Sequence, residues 1–203
     1  MTDAGPPSGA ARAFHDEPLA VLLDELARDS RVPGAGSVSA AVVSMAAAVV
    51  AMAARSSAET WQEARGAVAQ AEALRRRVAP LADDDARALA DAIALLEPRE
   101  GERESRDFEL GLALATAADV PLSIVQVAVD VAALAKTVAE NGRSEVRPDA
   151  VGAALLAHGA ARAAAHLVEI NLATTEDDFR VLAARSLVAA AASWAEQAAA
   201  TEA

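Results

Sequence analysis

Pro33, Gly34, Gly36 and Ser37 stand in the run Arg31-Val32-Pro33-Gly34-Ala35-Gly36-Ser37, whose residue types suit ligand binding by backbone groups. Proline fixes the entry of the chain, and glycines let backbone approach a ligand closely. Ser37 stands where an N-cap is expected, and exposed N–H groups at a helix start favour anionic or carbonyl-rich ligands. The same run also reads as an ordinary loop and cap in front of a buried helix. Further along, Asp83, Asp84 and Asp85 follow Pro80 and form an acidic helix start. Arg75, Arg76 and Arg77 lie in an expected last helical turn, where cations complement the helix dipole. Asn171 falls at an expected helix end, as a C-cap or as an amide offered to a ligand. His15, His158 and His166 are scattered, the last two on one helix, and nothing has the spacing of a metal site. There is no phosphate-binding glycine loop, nucleophile elbow or dinucleotide fingerprint.

Helices must position these residues. Of the 203 residues 54% are hydrophobic, yet the aromatics are only Phe14, Phe108, Phe179, Trp61 and Trp194. The core is therefore built from Ala, Val and Leu, which favours close-packed helices over strands, and the expected class is all-α. The length fits one domain with a sizeable core. Residues 1–16, rich in Gly, Pro and Ala, read as a disordered tail without the apolar core of a signal peptide, and residues 17–203 as a single helical domain. A net charge of −12 argues against nucleic acid or an anionic membrane as partner. The absence of Cys excludes disulfides and thiolate metal sites and fits a cytoplasmic location. The uncharged run 32–54 has transmembrane length, but its alanines and the internal Ser39 and Ser44 favour a buried central helix and no membrane.

Periodicity and breakers place helices near residues 17–29, 37–56, 58–79 and 83–97. Others fall near 107–118, from Pro121 to 140 with an Asn141-Gly142 C-cap, from an Asp149 N-cap to 170, and over 176–199. Short connections imply an up-and-down bundle around the central helix. On that helix Val38, Val42, Met45, Val49 and Met52 recur at steps of four and three, the spacing of a helix–helix seam. A second copy covers such an all-round apolar helix more easily than one modest bundle does.

Pro33-Gly34-Ala35-Gly36-Ser37, with the Ala-rich helix reaching Met52, resembles the Pro-x-Pro-Gly-Gly-Gly-Ser signature of the cyclodeaminase/cyclohydrolase family of one-carbon folate enzymes. That family comprises formiminotetrahydrofolate cyclodeaminases and methenyltetrahydrofolate cyclohydrolases. Asp85-Ala86 resembles the end of its Asp-x-Asp-Ala segment, Pro98-Arg99 its Leu-Pro-Lys, Ala117-Ala118-Asp119-Val120-Pro121-Leu122 its Ala-x-x-Val-Pro-Leu, and Val168-Glu169-Ile170-Asn171-Leu172 its Asn-Val-x-Ile-Asn-Leu. The likeness runs from about residue 18 to 190 and departs at Arg31, Ala35, Arg99 and Leu167.

The resemblance implies a homodimer acting on a tetrahydrofolate derivative by acid–base catalysis, which requires neither metal nor redox cofactor. It implies a catalytic role for Asp85 and substrate binding by Pro33, Gly34, Gly36, Ser37, Arg99 and Asn171. An anionic glutamate tail would meet Arg99, Arg103, Arg106 or the Arg75, Arg76, Arg77 triplet. The departures at Ala35, Arg99 and Leu167 remove backbone freedom, a titratable amine and a side-chain amide. They open an alternative, a catalytically degenerate helical dimer serving as a binding protein. Cyclodeaminase and cyclohydrolase are not separated at this level. No formiminotransferase domain is apparent, so any formimino substrate would come from another protein.

Overall fold

The computed structural model describes residues 13–30, 32–96, 103–173 and 177–201, with backbone only at residues 96 and 103–106. The described residues form α1 (Leu19–Leu26), α2 (Ala35–Ser56), α3 (Ala64–Val78), α4 (Leu81–Leu96), α5 (Arg103–Asn141), α6 (Arg147–Asn171) and α7 (Phe179–Ala199). Two single 3-10 turns, Phe14–Asp16 and Ser144–Val146, complete the order, and no strand occurs among the described residues.

Alanine sets the packing. α2 lies against α3, α4, α5 and α6, while α5 packs on α2, α3, α4, α6 and α7. The core of α2 is Ala40, Val43, Ala46, Ala47, Val50, Ala51, Ala53 and Ala54, met by Ala153, Ala154, Ala157, Ala161 and Ala164 of α6. Small side chains at the contact bring helix axes together, so burial is gained through close approach rather than bulk. The stretches Ala35–Ser56, Asp107–Asn141 and Ser144–Asn171 are long and apolar enough to cross a membrane by length and composition, and much of that apolar character forms this shared core.

Several local expectations are corrected. α5 is a single helix of 39 residues that continues through Pro121, where two helices were expected. α2 begins at Ala35 with Gly34 as its N-cap residue, so Ser37 lies inside the first turn and caps nothing. α6 starts at Arg147 with Pro148 in its first turn, and Asp149 follows within the helix. α7 is capped by Asp178, whose carboxylate accepts from the Arg180 N–H at 2.9 Å. Gly142 closes α5 without a left-handed turn. A Cβ there would stand 2.6 Å from the Val138 carbonyl oxygen and 2.9 Å from Ser57 Oγ. Ser57 Oγ donates to the Ala53 carbonyl at 2.9 Å and accepts from the Arg143 N–H at 3.0 Å, tying the ends of α2 and α5 together.

Phe14, placed in the expected tail, is 8% exposed, and its N–H donates to Asp83 Oδ1 at 2.9 Å. Residues 1–12 lie outside the described residues. The apolar seam of α2 faces outward: Val38 is 36%, Met45 50% and Met52 40% exposed, with Val42 and Val49 half-buried.

Candidate active site

Among the described residues Asp85 is the carboxylate that is buried, 7% exposed. It lies one turn beyond Ala82 on α4, on the face turned to the first turn of α2. The three consecutive aspartates have three different partners. Asp83 holds the Phe14 N–H, Asp84 pairs with Arg87, and Asp85 reaches across to Ser37. Asp85 lies inside α4, which begins at Leu81, and does not cap its own helix. Its carboxylate instead takes the Ser37 backbone N–H in the first turn of α2, and Ser37 Oγ stands 3.1 Å from Oδ2. An anion at a helix N-terminus was anticipated from a ligand; here the protein supplies it from α4.

Ser37 Oγ also lies 2.8 Å from the Ala82 carbonyl oxygen. A hydroxyl has one hydrogen and two lone pairs. With Asp85 ionised, that hydrogen turns to Oδ2; with Asp85 protonated, the carboxyl donates to Ser37 and the hydroxyl donates to Ala82. Both protonation states of Asp85 are thus satisfied by one rotating hydroxyl. Burial pushes the Asp85 carboxyl above its ordinary value, and the Ser37 hydroxyl and N–H oppose that rise without cancelling it. A carboxyl lifted in this way is suited to exchanging protons nearer neutrality.

Gly36 makes the arrangement possible. A Cβ at position 36 would fall on the carboxylate of Asp85 itself. The glycine serves here as space for a side chain of the same protein, not for left-handed backbone.

A narrow cleft of about 60 Å³ is lined by Ala35, Gly36, Asp85, Leu89, Ala117, Leu167 and Asn171. At about 30 Å³ per water, it holds a small reacting group and a water, so a larger ligand must lie mostly outside it. Of the expected site residues, Gly36, Ser37, Asp85 and Asn171 come together here. Pro33 and Gly34 are half-buried in the preceding loop and outside the cleft lining. Arg99 lies outside the described residues, as do the side chains of Arg103 and Arg106. Arg75, Arg76 and Arg77 are exposed at the end of α3, away from this lining. Among the described residues no group of three or more His, Asp or Glu is placed to hold a metal ion.

Asn171 is partly committed to architecture. Its Nδ2 donates to the Ala117 carbonyl at 3.0 Å, the carbonyl that Pro121 leaves without its usual helical donor. Leu89 belongs to the lining and carried no sequence signal beyond its helical register, while Ala117, also in the lining, opens the segment that resembles the family's Ala-x-x-Val-Pro-Leu. Arg180 was also missed. It donates to Asp178, to Asp119 Oδ1 at 2.9 Å and to the Ala115 carbonyl at 2.8 Å, fixing the start of α7 to α5 beside the proline. Those partners on α5 are more than 60 residues away in sequence, beyond any local pattern.

The geometry can be set beside known proteins. The chain is 31% identical over 172 residues to a methenyltetrahydrofolate cyclohydrolase of Methylorubrum extorquens, covering 80% of this chain and 82% of that one. Its fold matches the crystal structure of a formiminotetrahydrofolate cyclodeaminase from Thermotoga maritima with a TM-score of 0.79 and 25% identity, over 91% of this chain and 94% of the other. Residues 18–190 match the sequence profile of the formiminotransferase-cyclodeaminase family. A profile spanning most of the chain, a relative similar over four fifths of both sequences and a shared helical fold agree: the chain belongs to the formiminotransferase-cyclodeaminase family.

Proposed function

We propose that this protein is a one-carbon folate enzyme in which Asp85 transfers protons, with methenyltetrahydrofolate hydrolysis the favoured reaction and formiminotetrahydrofolate cyclodeamination the other candidate. The observation that carries the proposal is the buried Asp85 carboxyl, raised by burial and served in both protonation states by Ser37, at the wall of a small cleft. Hydrolysis is favoured because the relative at 31% identity bears that name. In this reading water adds to the methenyl carbon as Asp85 accepts one of its protons. The carbon–N5 bond then breaks as Asp85 returns that proton to N5, and the remaining hydroxyl proton leaves to solvent as the formyl carbonyl forms. In cyclodeamination the same group would carry the N10 proton to the departing ammonia. The substrate supplies the electrophile, so the residues need only orient it and move protons.

The pterin would rest across the mouth of the cleft, with Gly36, Asn171 and Leu167 against its reacting edge. We further propose that the outward seam of α2, formed by Val38, Met45 and Met52 with Val42 and Val49, pairs with a second copy of the chain. An apolar stripe along the whole central helix of an acidic protein favours its own equivalent over a charged partner. A Met45→Lys, Met52→Lys double variant should then scatter light as a monomer where the native chain scatters as a dimer. Native protein that is monomeric at micromolar concentration overturns the pairing.

The enzymatic proposal is tested by assaying both reactions spectroscopically on purified protein, with Asp85→Asn as control. Turnover that falls by ~10²-fold or more in the variant supports it; native protein inactive on both substrates overturns it. A binding protein that kept the fold is the second reading, favoured by Ala35 and Leu167 lining the cleft where the family pattern has glycine and asparagine. It predicts that folates raise the melting temperature without turnover.

A further inference from the structure

The turn of α5 that leads into Pro121 is held by two other helices. Proline withholds a backbone donor from the Ala117 carbonyl and its ring crowds that carbonyl, so α5 is weakest in its own hydrogen bonding beside the cleft wall. Asn171, at the end of α6, donates to the Ala117 carbonyl at 3.0 Å. Arg180, in the first turn of α7, donates to the Ala115 carbonyl at 2.8 Å. Residues two apart on a helix are separated by about 200° around its axis. The two side chains therefore hold α5 from nearly opposite sides.

Arg180 is committed beyond what its own helix requires. Capping α7 needs only the Asp178 carboxylate and the Arg180 N–H, which meet at 2.9 Å. The guanidinium also donates to that carboxylate, through Nε at 3.0 Å and Nη2 at 2.7 Å, and this two-point grip fixes the plane of the fork. Nη1 is thereby aimed at α5, where it meets both the Ala115 carbonyl and Asp119 Oδ1. The Arg180 and Asp178 side chains are only 15% and 10% exposed, so the pair is withdrawn from solvent. Arg185, which ties the same helix to Glu169 of α6, is exposed. Arg180 does not line the Asp85 cleft, but Ala117, two residues from its carbonyl partner, does.

We propose that Arg180 is a positioning residue for the reaction, holding residues 115–119 of α5 so that Ala117 and Asn171 keep the Asp85 cleft at the width of one reacting group and one water. The proposal rests on Asp85 as the proton carrier of a folate reaction. Released from Arg180, α5 draws back at Ala117 and the cleft widens. The reacting edge is then less well aligned with Asp85, which lowers kcat more than it weakens binding. Water also reaches the carboxylate and relieves the burial that raises it, so the Asp85 carboxyl falls toward its ordinary value. Among the described residues no other titratable side chain lines the cleft, and Asp83 and Asp84 on the same helix are turned to Phe14 and Arg87.

Three full-length variants test this beside the native chain, on whichever of the methenyl and formimino substrates the native chain turns over. Arg180→Met keeps the length of the side chain and removes every donor. Arg180→Lys keeps a charge beside Asp178 but lacks the fork that holds Asp178, Asp119 and Ala115 together. Arg185→Met, the control, deletes an ion pair of the same helix that does not reach α5. Arg180→Met and Arg180→Lys should each lower kcat by about tenfold or more, within the known cost of a small misplacement, with KM changed by less than about threefold. In both, the acid limb of the pH–rate profile should move to lower pH, while Arg185→Met keeps native kcat and limb. Loss of folded protein lowers the whole profile without moving its limb, so an unstable Arg180→Met still answers through the limb, and Arg180→Lys answers beside it. A limb that stays in place in both Arg180 variants overturns the proposal. So does native kcat in Arg180→Lys, because a charge beside Asp178 then suffices, or an equal loss of kcat in Arg185→Met. Native protein inactive on both substrates removes the assignment of Asp85 and this proposal with it. An active native chain with unaffected Arg180 variants overturns this proposal alone.

Discussion

Asn171 supplies the hydrogen bond that Pro121 removes. Proline has no N–H, so its place in α5 leaves the carbonyl of Ala117, four residues earlier, without a helical donor. Asn171 Nδ2, at the end of α6, donates to that carbonyl at 3.0 Å. Two segments 50 residues apart in sequence, Val120-Pro121-Leu122 and Ile170-Asn171-Leu172, are therefore one structural unit. Ala117 and Asn171 both line the Asp85 cleft, so this unit forms the cleft wall opposite the carboxylate's own helix.

Asn171→Ala should leave the Ala117 carbonyl unpaired at the edge of the core, at a cost of about 1–3 kcal/mol. Pro121→Ala restores a backbone N–H at the right place. In that background the Asn171→Ala penalty should shrink, and a double-mutant cycle on chemical denaturation measures the difference. Additive penalties would show that Asn171 acts elsewhere than on Ala117. A loss of turnover by Asn171→Ala that persists in the Pro121→Ala background would assign the amide to substrate as well.

Ser37 should set the pH at which Asp85 works. Its hydroxyl and N–H lower the Asp85 carboxyl against the larger rise caused by burial. Ser37→Ala removes the hydroxyl and keeps the N–H, so the Asp85 carboxyl should rise further. The acid limb of the pH–rate profile should move to higher pH, and an unmoved limb would detach the profile from Asp85. Stability follows the same logic. An acid whose folded pKa lies above its unfolded value holds its proton longer when folded, so ionising it weakens the fold as pH rises from about 3.8 through the folded pKa. Asp85→Asn removes that loss. Its melting temperature relative to native should therefore increase across that window and level off above it. A relative melting temperature that falls with pH would mean that the ionised carboxylate is favoured by the fold.

The fold and half of the site were legible in the sequence because they rest on local chemistry. Alanine content and three–four spacing identify helices, and Pro33-Gly34 places the start of α2 within three residues. Gly36, Ser37, Asp85 and Asn171 were all named, and they converge. Their roles were less accessible, because each is decided by a partner on another helix. Ser37 looks like a cap until Asp85 arrives from α4. Gly36 looks like ligand space until the same carboxylate fills it. Asn171 looks like a ligand group or C-cap until Pro121 is seen to orphan Ala117. Pro121 looks like a helix start because single-sequence reasoning has no donor to offer that carbonyl. Arg180 has its α5 partners outside any sequence window.

Gly36 should be intolerant of even one methyl group. A glycine inside an exposed helix normally gains up to about 1 kcal/mol on replacement by alanine. Here the added Cβ would occupy the position of the Asp85 carboxylate, so Gly36→Ala should destabilise by about 1–3 kcal/mol through overpacking and should displace that carboxylate. The relationship is tested by its partner. In an Asp85→Ala background the space is empty, and Gly36→Ala should recover the ordinary helical gain. The sign of the effect on melting should thus reverse between the two backgrounds. A penalty of equal size in both would assign the glycine to some other constraint, and larger substitutions such as Gly36→Val cannot report on ligand binding because they collide with Asp85 first.

Leu167 lines the cleft with Asp85 and Asn171, at the position where the family pattern has an asparagine. An apolar side chain beside a buried carboxylate strengthens the desolvation that holds its proton on. Leu167→Asn would place an amide in that wall and offer the carboxylate a polar neighbour. The Asp85 carboxyl should fall toward its ordinary value, and the acid limb of the pH–rate profile should move down, opposite to the displacement expected for Ser37→Ala. The two substitutions combined should partly cancel. Removing a half-buried leucine also costs packing, so the limb position, which is independent of how much protein remains folded, is the quantity to compare. A limb that moves upward, or stays where it is while Ser37→Ala moves it, would mean that Leu167 does not shape the environment of Asp85.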